Sequence, residues 1–255
     1  MSKLIADLKV IGNKKINNDF FIIELSGDQK LPEMRPGQFV QARVDGNADT
    51  FLRRPLSIHD VDYGRNSFKL LIQIAGSGTK KLSMLKTGDI LNLIFPLGNS
   101  FTIPSREEKI LLVGGGCGIA PLLFLAKTLK KSGLVPEILL GFRNKERIIE
   151  YEQYLEIGKV FLTTEDGSVG EKGYVTNHSI LKTGSYHRVY CCGPDSMMKA
   201  VAAWARSNDA ECEVSLENLM ACGIGACLCC IVDTIKGNVC TCTEGPVFNI
   251  KDLKW

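Results

Sequence analysis

The residues best suited to chemistry in this 255-residue chain are its cysteines, seven of which fall between Cys212 and Cys242. Four of the seven can be read in the order Cys222-x4-Cys227-x2-Cys230-x11-Cys242. This is the plant-type spacing for the thiolate ligands of a [2Fe–2S] cluster. Two glycines lie between the first two of these cysteines, and glycine lets backbone N–H groups come close to a negatively charged ligand. The spacing therefore predicts a one-electron redox centre.

Three other uses of dense cysteines compete with a cluster. Structural zinc sites built from four cysteines also contain x2 spacings. Disulfides belong mainly to secreted proteins, and the N-terminal residues lack the apolar core of a signal peptide. Buried free thiols explain single cysteines well, but they explain seven in so short a stretch poorly. The spacing favours the cluster, with zinc as its main competitor.

Length and composition predict more than one domain and give no sign of a polymeric partner. A chain of 255 residues exceeds one average domain, and a hydrophobic content of 45% is ample for ordinary cores. The net charge is +3 and its Lys and Arg residues are dispersed, so we expect no nucleic-acid partner. The apolar run at 110–126 contains four glycines and a proline, which favours a strand, a turn and a helix over a membrane span. We expect a cytoplasmic protein with no membrane partner.

Two patterns of secondary structure along the chain predict the domains that position this chemistry. Alternating apolar segments rich in β-branched and aromatic residues predict an antiparallel barrel in the first hundred residues. These segments lie at 1–10, 20–25, 38–44, 55–61, 68–74 and 90–95. After residue 104, strands alternate with helices, which predicts a parallel sheet with helices on its faces. The strands lie at 109–113, 138–141, 160–164 and 189–192, and the helices at 119–131, near 148–157 and at 196–207.

The predicted fold class is therefore α+β and multidomain. We expect a barrel domain at 1–103, an α/β nucleotide domain at 104–211 and a small cysteine-rich domain at 212–255.

Two motifs in the barrel suit an anionic cofactor. The segment Arg53-Arg54-Pro55-Leu56-Ser57 places cations beside a hydroxyl, which suits a diphosphate or a reduced flavin. The segment Gly76-Ser77-Gly78-Thr79 follows a strand and precedes a short helix near Lys80, and a glycine turn before a helix can bind an anion. A solvated arginine pair and a plain turn are the alternatives.

Two further turns lie at the predicted carboxyl edge of the parallel sheet, where α/β folds bind ligands. The segment 113–121 is rich in glycine but does not follow the G-x-G-x-x-G register of the usual dinucleotide turn. The segment 190–195 ends a strand and opens a helix. We predict that these turns bind a nicotinamide nucleotide, although Cys192 could instead be a buried apolar thiol. The residues expected to contact the nucleotide are Gly115, Gly116, Cys192, Gly193 and Pro194.

The order of these motifs along the chain resembles that in the ferredoxin reductase superfamily. In addition, the segments Met220-Ala221-Cys222-Gly223-Ile224-Gly225-Ala226-Cys227 and Cys242-Thr243-Glu244-Gly245-Pro246-Val247-Phe248 look like the electron transfer subunits of type B dihydroorotate dehydrogenase. The similarity covers essentially the whole chain. Its C-terminal part is the specific one, since the other motifs are shared widely across the superfamily.

The resemblance implies an FAD-binding barrel, an NAD-binding domain and a [2Fe–2S] domain. It assigns FAD contacts to Arg54, Pro55, Leu56, Ser57, Leu71, Ile72, Gln73, Gly78 and Thr79. It assigns the cluster ligands to Cys222, Cys227, Cys230 and Cys242. Cys242 is preferred to Cys240 because it stands directly before Thr-Glu-Gly-Pro-Val-Phe, where the family keeps its last ligand. Leu56 departs from the pattern, since many superfamily reductases have an aromatic residue there.

The resemblance also implies a function. Dihydroorotate is oxidised at the FMN of a partner subunit, and electrons pass through the [2Fe–2S] cluster and FAD to NAD+ in pyrimidine (UMP) biosynthesis. FAD belongs between the other two groups because nicotinamide exchanges electron pairs, a cluster exchanges single electrons, and flavin does both. No residue of this chain is assigned an acid or base role. The chain lacks a pattern of eight βα units, so we expect it to need its partner, in a heterotetramer of two plus two subunits.

Other functions remain open from the sequence. One is a reductase subunit serving a hydrogenase, a sulfide dehydrogenase or ferredoxin, although related NADH-linked ferredoxin reductase subunits often have aspartate where Cys222 stands. Another is a zinc-stabilised interaction module without catalytic activity. The choice between NAD and NADP is also open, because Arg143 and Lys145 follow the second strand of the α/β domain and could meet a 2′-phosphate.

Overall fold

The structure is a computed structural model that describes residues 3–45, 50–105 and 107–255. The first two residues of the predicted N-terminal strand lie outside these ranges. Two seven-stranded sheets and one short hairpin make up the β-structure of the described residues. None of the helices in these ranges combines the length and the apolar character needed to cross a bilayer.

The first sheet is antiparallel throughout and confirms the predicted barrel class. Its strands are β1 (Leu4–Lys15), β2 (Phe20–Ser26), β3 (Phe39–Ala42), β4 (Arg54–Ser57), β5 (Asp60–Asp62), β6 (Ser67–Gln73) and β7 (Ile90–Leu97). Their order in the sheet is β4-β3-β7-β1-β2-β6-β5, and β4 also lies against β6, which curls the sheet towards closure. A short helix, α1 (Ser77–Leu82), follows β6.

The prediction of one strand at 55–61 was wrong, because two strands occupy this segment. Ile58 N–H donates to the carbonyl of Gln38, whereas His59 N–H donates to the carbonyl of Lys69. The chain therefore crosses here from the β3 side of the sheet to the β6 side. The buried His59 ring also lies 2.8 Å from the carbonyl oxygen of Ala120, a tertiary contact that the local pattern does not reveal.

The strands of the second sheet are β8 (Ile110–Gly115), β9 (Glu137–Phe142), β10 (Val160–Thr164), β11 (Glu171–Lys172), β12 (Arg188–Cys192), β13 (Glu211–Ser215) and β16 (Val247–Asn249). The sheet is parallel except for β16, and its order is β11-β10-β9-β8-β12-β13-β16. The helices around it are α2 (Ala120–Lys131), α3 (Tyr151–Leu155), α4 (Ile180–Thr183) and α5 (Asp195–Ser207). The predicted parallel sheet is confirmed, and the predicted boundary between residues 211 and 212 falls inside β13.

The C-terminal segment contains a hairpin of β14 (Ile231–Thr234) and β15 (Gly237–Cys240), followed by the one-turn helix α6 (Thr241–Glu244). The helix predicted near 148–157 is shorter than expected. Glu150 has a left-handed backbone with φ of 55°, so the helical conformation begins only at Tyr151.

Shared cores hold the barrel, the second sheet and the C-terminal segment together. Phe20 and Leu71 of the barrel pack in one core with Ile119 and Leu123 at the start of α2. On the other side, Phe39 and Leu97 pack with three residues of the cysteine-rich segment, namely Met220, Cys230 and Cys242. The barrel thus contacts both the parallel sheet and the cysteines.

Tyr154 supports the glycine-rich turn from beneath. Its side chain is fully buried, and its hydroxyl donates to the carbonyl of Ile119 over 2.7 Å. Replacing Tyr154 with Phe should lower the free energy of unfolding by about 0.5–1.5 kcal/mol, because one buried hydrogen bond is lost. Urea denaturation would measure this change. The control is Tyr151→Phe in the same helix, where the ring is only partly buried, and equal stability of both variants would contradict the expectation.

Candidate redox site

The four cysteines predicted as ligands lie together as two pairs. The Cys227 N–H lies 3.4 Å from Cys222 Sγ, and the Cys242 N–H lies 3.4 Å from Cys230 Sγ. The N–H of Gly225, in the loop of the first pair, lies 3.2 Å from Cys242 Sγ and so joins the two pairs. Two thiols on each side suit a binuclear cluster, in which each iron takes two protein ligands.

Backbone amides in this loop point at the sulfur atoms. The N–H groups of Ile224 and Cys227 each lie 3.4 Å from Cys222 Sγ. Desolvation raises the pKa of the Cys222 thiol, but these amides outweigh that effect and bring its pKa down to about 6. The geometry depends on glycine, because Gly223 and Gly225 have φ of +71° and +86°. The loop therefore favours a thiolate and has a conformation that other residues would adopt only with strain.

The two remaining cysteines of the segment differ in position. Cys229 is exposed, and its thiol lies 3.7 Å from the carbonyl of Leu219. Cys240 is half-buried and packs in the same cluster as Cys230 and Cys242. No three Cys, His, Asp or Glu side chains in residues 3–45, 50–105 and 107–255 are arranged as ligands of a single metal ion. The preference for Cys242 over Cys240 as a cluster ligand stays a prediction.

The predicted flavin residues of β4 lie next to the turn before α1. The guanidinium of Arg54 packs so closely on Gly78 that a Cβ at residue 78 would lie 2.7 Å from Arg54 Nε. Thr79 Oγ1 accepts hydrogen bonds from the N–H groups of Ala75 and Gly76 at 2.9 and 3.2 Å, which closes the turn. The structure thus brings both barrel motifs together at one place, as a flavin diphosphate would require.

The first arginine of the motif has a different position. Arg53 Nη1 donates to the carbonyls of Gln41 and Asn92 at 3.1 and 3.2 Å. Arg53 therefore holds β3 and β7 together rather than forming a solvated pair with its neighbour.

The predicted flavin residues of β6 are accessible in different ways. The side chains of Leu71 and Ile72 are buried, whereas Gln73 faces a cleft between the barrel and the second sheet. Strand β6 pairs with β2 over its whole length but with β5 only at 67–69. Within the described ranges, no strand pairs with the other edge of 71–73, where Cys117 lies against the main chain of Gln73. The FAD contacts themselves stay a prediction.

Replacing Arg54 with Ala should weaken FAD binding by about tenfold to a hundredfold, because hydrogen bonds to a charged diphosphate contribute about 1.5–3 kcal/mol. Flavin released on dilution, followed by fluorescence, would measure this. Arg35→Ala is the control, since Arg35 is exposed and ion-paired with Glu33. Undiminished flavin retention in the Arg54 variant would show that this guanidinium does not hold the cofactor.

A cleft of about 830 Å³ lies at the carboxyl edge of the parallel sheet. Four of the five predicted nucleotide contacts line it, namely Gly115, Gly116, Gly193 and Pro194. The fifth, Cys192, is buried with only 1% of its surface exposed and does not line the cleft. Desolvation raises the pKa of the Cys192 thiol well above its usual value.

The two glycine turns touch each other beneath the cleft. A Cβ at Gly118 would lie 2.4 Å from the carbonyl oxygen of Cys192 and 2.5 Å from Gly193 Cα. A Cβ at Gly193 would lie 3.1 Å from the N atom of Gly115. Only glycine permits this approach, which leaves main-chain groups open for a nucleotide.

The cleft also contains a polar group that the protein does not satisfy. Thr163 Oγ1, at the end of β10, is buried and has no hydrogen-bond partner among the described residues. Since buried hydroxyls are normally hydrogen-bonded, this atom fits a bound nucleotide. Arg143 lines the same cleft, whereas Lys145 does not.

Three of the cleft residues that the predicted contacts did not include bear on its chemistry. Phe20 opens β2 and reaches the cleft from the barrel, and Cys117 lies in the glycine turn. Glu217 follows β13 and faces the cleft, where desolvation raises the pKa of its carboxyl group. Desolvation, followed by the charge of Glu217, raises the pKa of Cys117 to about 12. Assigning β13 from the sequence would have placed Glu217 at the carboxyl edge of the sheet.

Comparison with known proteins gives a consistent result. The model of the iron-sulfur cluster binding domain of dihydroorotate dehydrogenase B matches residues 217–254. The chain is 41% identical to the dihydroorotate dehydrogenase B (NAD(+)) electron transfer subunit of Caldanaerobacter subterraneus, covering 94% of each chain. It is 37% identical to the subunit of the same name from Fusobacterium nucleatum, covering 98% of each.

Among solved structures, the chain resembles one of an NADH-dependent reduced ferredoxin-NADP oxidoreductase, determined for its flavin-based electron bifurcation. The TM-score is 0.88 at 32% identity, covering 98% of this chain and 90% of that one. The ferredoxin reductase of carbazole 1,9a-dioxygenase has the same fold at 18% identity, with a TM-score of 0.70 and 82% and 67% coverage. Because the matches to the curated subunits cover nearly the full length of each chain, this chain belongs to the dihydroorotate dehydrogenase B electron transfer subunit family.

Proposed function

We propose that this chain carries electrons from dihydroorotate oxidation, at the FMN of a separate catalytic subunit, through a [2Fe–2S] cluster and FAD to NAD+. The observation that carries the proposal is the order of the three sites. The barrel lies between the nucleotide cleft and the cysteine loop, since Phe20 faces the cleft and Phe39 contacts the loop. Such an order suits a series of electron carriers. The oxidation of dihydroorotate in turn serves pyrimidine biosynthesis.

When bound, the three groups would supply pair transfer at NAD, single-electron transfer at the cluster and conversion between the two at FAD. The protein's own residues position and shield them. Gln73 and Phe20 close the barrel side of the cleft against the glycine turns, so a nicotinamide held there would meet the flavin strand. The amides around Cys222 favour the charged form of the ligand. No side chain needs to act as an acid or base.

An exposed apolar surface beside the cysteines supports a partner subunit. Four large apolar residues of the loop region are exposed, and large exposed apolar patches mark interaction surfaces. They are Leu219, Ile224, Leu228 and Ile231, with 88%, 47%, 60% and 43% of their surfaces exposed. An electron transfer subunit acts with a catalytic subunit, and we propose that this surface meets an FMN-containing one in a heterotetramer of two plus two subunits.

We propose NAD as the nucleotide, because the matching subunits are named for NAD(+). Glu165 lines the cleft together with Arg143 and Arg147. The carboxylate of Glu165 can accept a hydrogen bond from a ribose hydroxyl.

The second candidate is a subunit of an NADH-dependent ferredoxin reductase complex. The similarity to the ferredoxin-NADP oxidoreductase structure favours it. Cys222 argues for the first proposal, because the related ferredoxin reductases often have aspartate at that position.

Isolation of the tagged chain under anaerobic conditions tests the proposal. The preparation should contain FAD and a [2Fe–2S] cluster, should bleach with NADH, and should contain an FMN-bearing second subunit. A colourless zinc protein would contradict the cofactor assignment, and co-purification with a ferredoxin or hydrogenase subunit would support the second candidate instead.

A further inference from the structure

A glutamine amide lies buried between the barrel and the cysteine loop without a partner. Gln41 has no exposed surface, and neither its Nε2 nor its Oε1 atom makes a hydrogen bond within residues 3–45, 50–105 and 107–255. Buried amides without partners are strongly destabilising and correspondingly rare. The burial of this amide without a partner therefore indicates a partner that the described chain does not supply.

The Gln41 side chain contacts the loop that begins at Cys222. A Cβ at Gly223 would lie 2.5 Å from Gln41 Cγ and 2.9 Å from Gln41 Nε2. Gly223 also has φ of +71°. Because Gly223 has no side chain, the amide of Gln41 can occupy the space beside Cys222, the first predicted ligand.

The strand around Gln41 fixes which way the amide faces. Side chains alternate along a strand, and Phe39, two residues earlier in β3, contacts Cys230 and Cys242, whereas Val40 packs inside the barrel. Gln41 therefore shares the face that meets the cysteine segment. The main-chain carbonyl of Gln41 accepts a hydrogen bond from Arg53 Nη1 at 3.1 Å, which holds this part of β3 in place.

We propose that the side-chain N–H of Gln41 donates a hydrogen bond to a sulfur atom of the cluster held by the Cys222 loop, and thereby raises its reduction potential. This inference rests on the proposed function, since it requires a cluster at these cysteines. Reduction adds one negative charge to the cluster, so a donor stabilises the reduced form more than the oxidised form. Gln41 then makes the cluster a better electron acceptor. The reduction potential of the cluster thus depends on a residue of the barrel.

The test is an EPR-monitored redox titration of the cofactor-loaded protein with Gln41→Met, which keeps the length of the side chain and removes the donor. At a fixed potential, the ratio of reduced to oxidised cluster should fall about tenfold, which corresponds to about 59 mV for a one-electron couple. Ile94→Leu is the matched control, because Ile94 lies opposite Gln41 on β7 and packs on the same cysteine segment. The control should titrate like the wild type.

A cluster of unchanged potential in Gln41→Met would overturn the inference and leave the proposed function standing. A wild-type protein without any cluster would overturn both. A second measurement does not depend on the variant's folding. In wild-type protein labelled with ¹⁵N at glutamine side chains, pulsed EPR of the reduced cluster should detect a coupled nitrogen, and the lack of any coupling would equally refute the contact.

Discussion

Replacing Cys222 with Ser should reduce electron transfer to the partner subunit by at least about a hundredfold, while NADH still reduces the flavin at its normal rate. Even the loss of an outer-shell partner at a metal site costs up to about a hundredfold, and this change removes a proposed ligand. The amides of Ile224 and Cys227 would lose the thiolate to which they point. Stopped-flow absorbance separates the two steps, because flavin bleaching and partner reduction have different signals.

The matched control is Cys229→Ser. Cys229 lies in the same loop, but its thiol is exposed and directed to the carbonyl of Leu219. We expect normal transfer in this variant. Normal transfer in the Cys222 variant as well would show that the ligand set is wrong, and loss in both would indicate that the loop tolerates no change.

Replacing Gly118 with Ala should raise the KM for NADH by about tenfold to a hundredfold, since forced overpacking of this kind costs about 1–3 kcal/mol. The added Cβ would meet main-chain atoms of Cys192 and Gly193 at 2.4–2.5 Å. Backbone atoms cannot rotate away as a side chain can, so the two turns must separate. Steady-state reduction of an artificial acceptor by NADH would measure the change.

Gly12→Ala is the control for that substitution, because a Cβ there would make an ordinary contact of 3.6 Å with Glu24 Cβ. Its KM should remain at the wild-type value. A Gly118→Ala variant with unchanged KM and unchanged flavin content would mean that contact between the turns does not shape the nucleotide cleft.

The predictions from sequence succeeded where the signal is local. The spacing of the cysteines predicts a loop, and in the structure the four cysteines lie as two pairs. The glycines at 223 and 225 in this loop both adopt positive φ. The change after residue 104, from successive strands to strands that alternate with helices, likewise predicted the two sheets. Each of these patterns depends on residues close together in the chain.

Long-range contacts account for what the sequence did not reveal. Strand β13 contains two glutamates, so it does not look like a buried strand. In the structure, however, the carboxylate of Glu213 accepts hydrogen bonds from the N–H and hydroxyl of Thr102 at 2.9 and 2.6 Å. Without that strand, Glu217 could not be assigned to the cleft. Gln41 was missed similarly, because its contact with Gly223 joins segments far apart in the chain.

The order of the three sites also explains why the barrel carries so many of the predicted contacts. It supplies Phe20 and Gln73 to the cleft on one side, and Phe39 and Gln41 to the cysteine loop on the other. A flavin on β4 and β6 would then lie between a two-electron carrier and a one-electron carrier, which is where its chemistry is needed.

The most direct test of this account is the oxidation of dihydroorotate by the complex reconstituted from this chain and an FMN-containing catalytic subunit. We expect the complex to reduce NAD+ with dihydroorotate as electron donor, and neither subunit to do so alone. We also expect Cys222→Ser to abolish the activity of the complex. Failure of the complex to couple dihydroorotate to NAD+, with reduction of ferredoxin by NADH in its place, would contradict the proposed function.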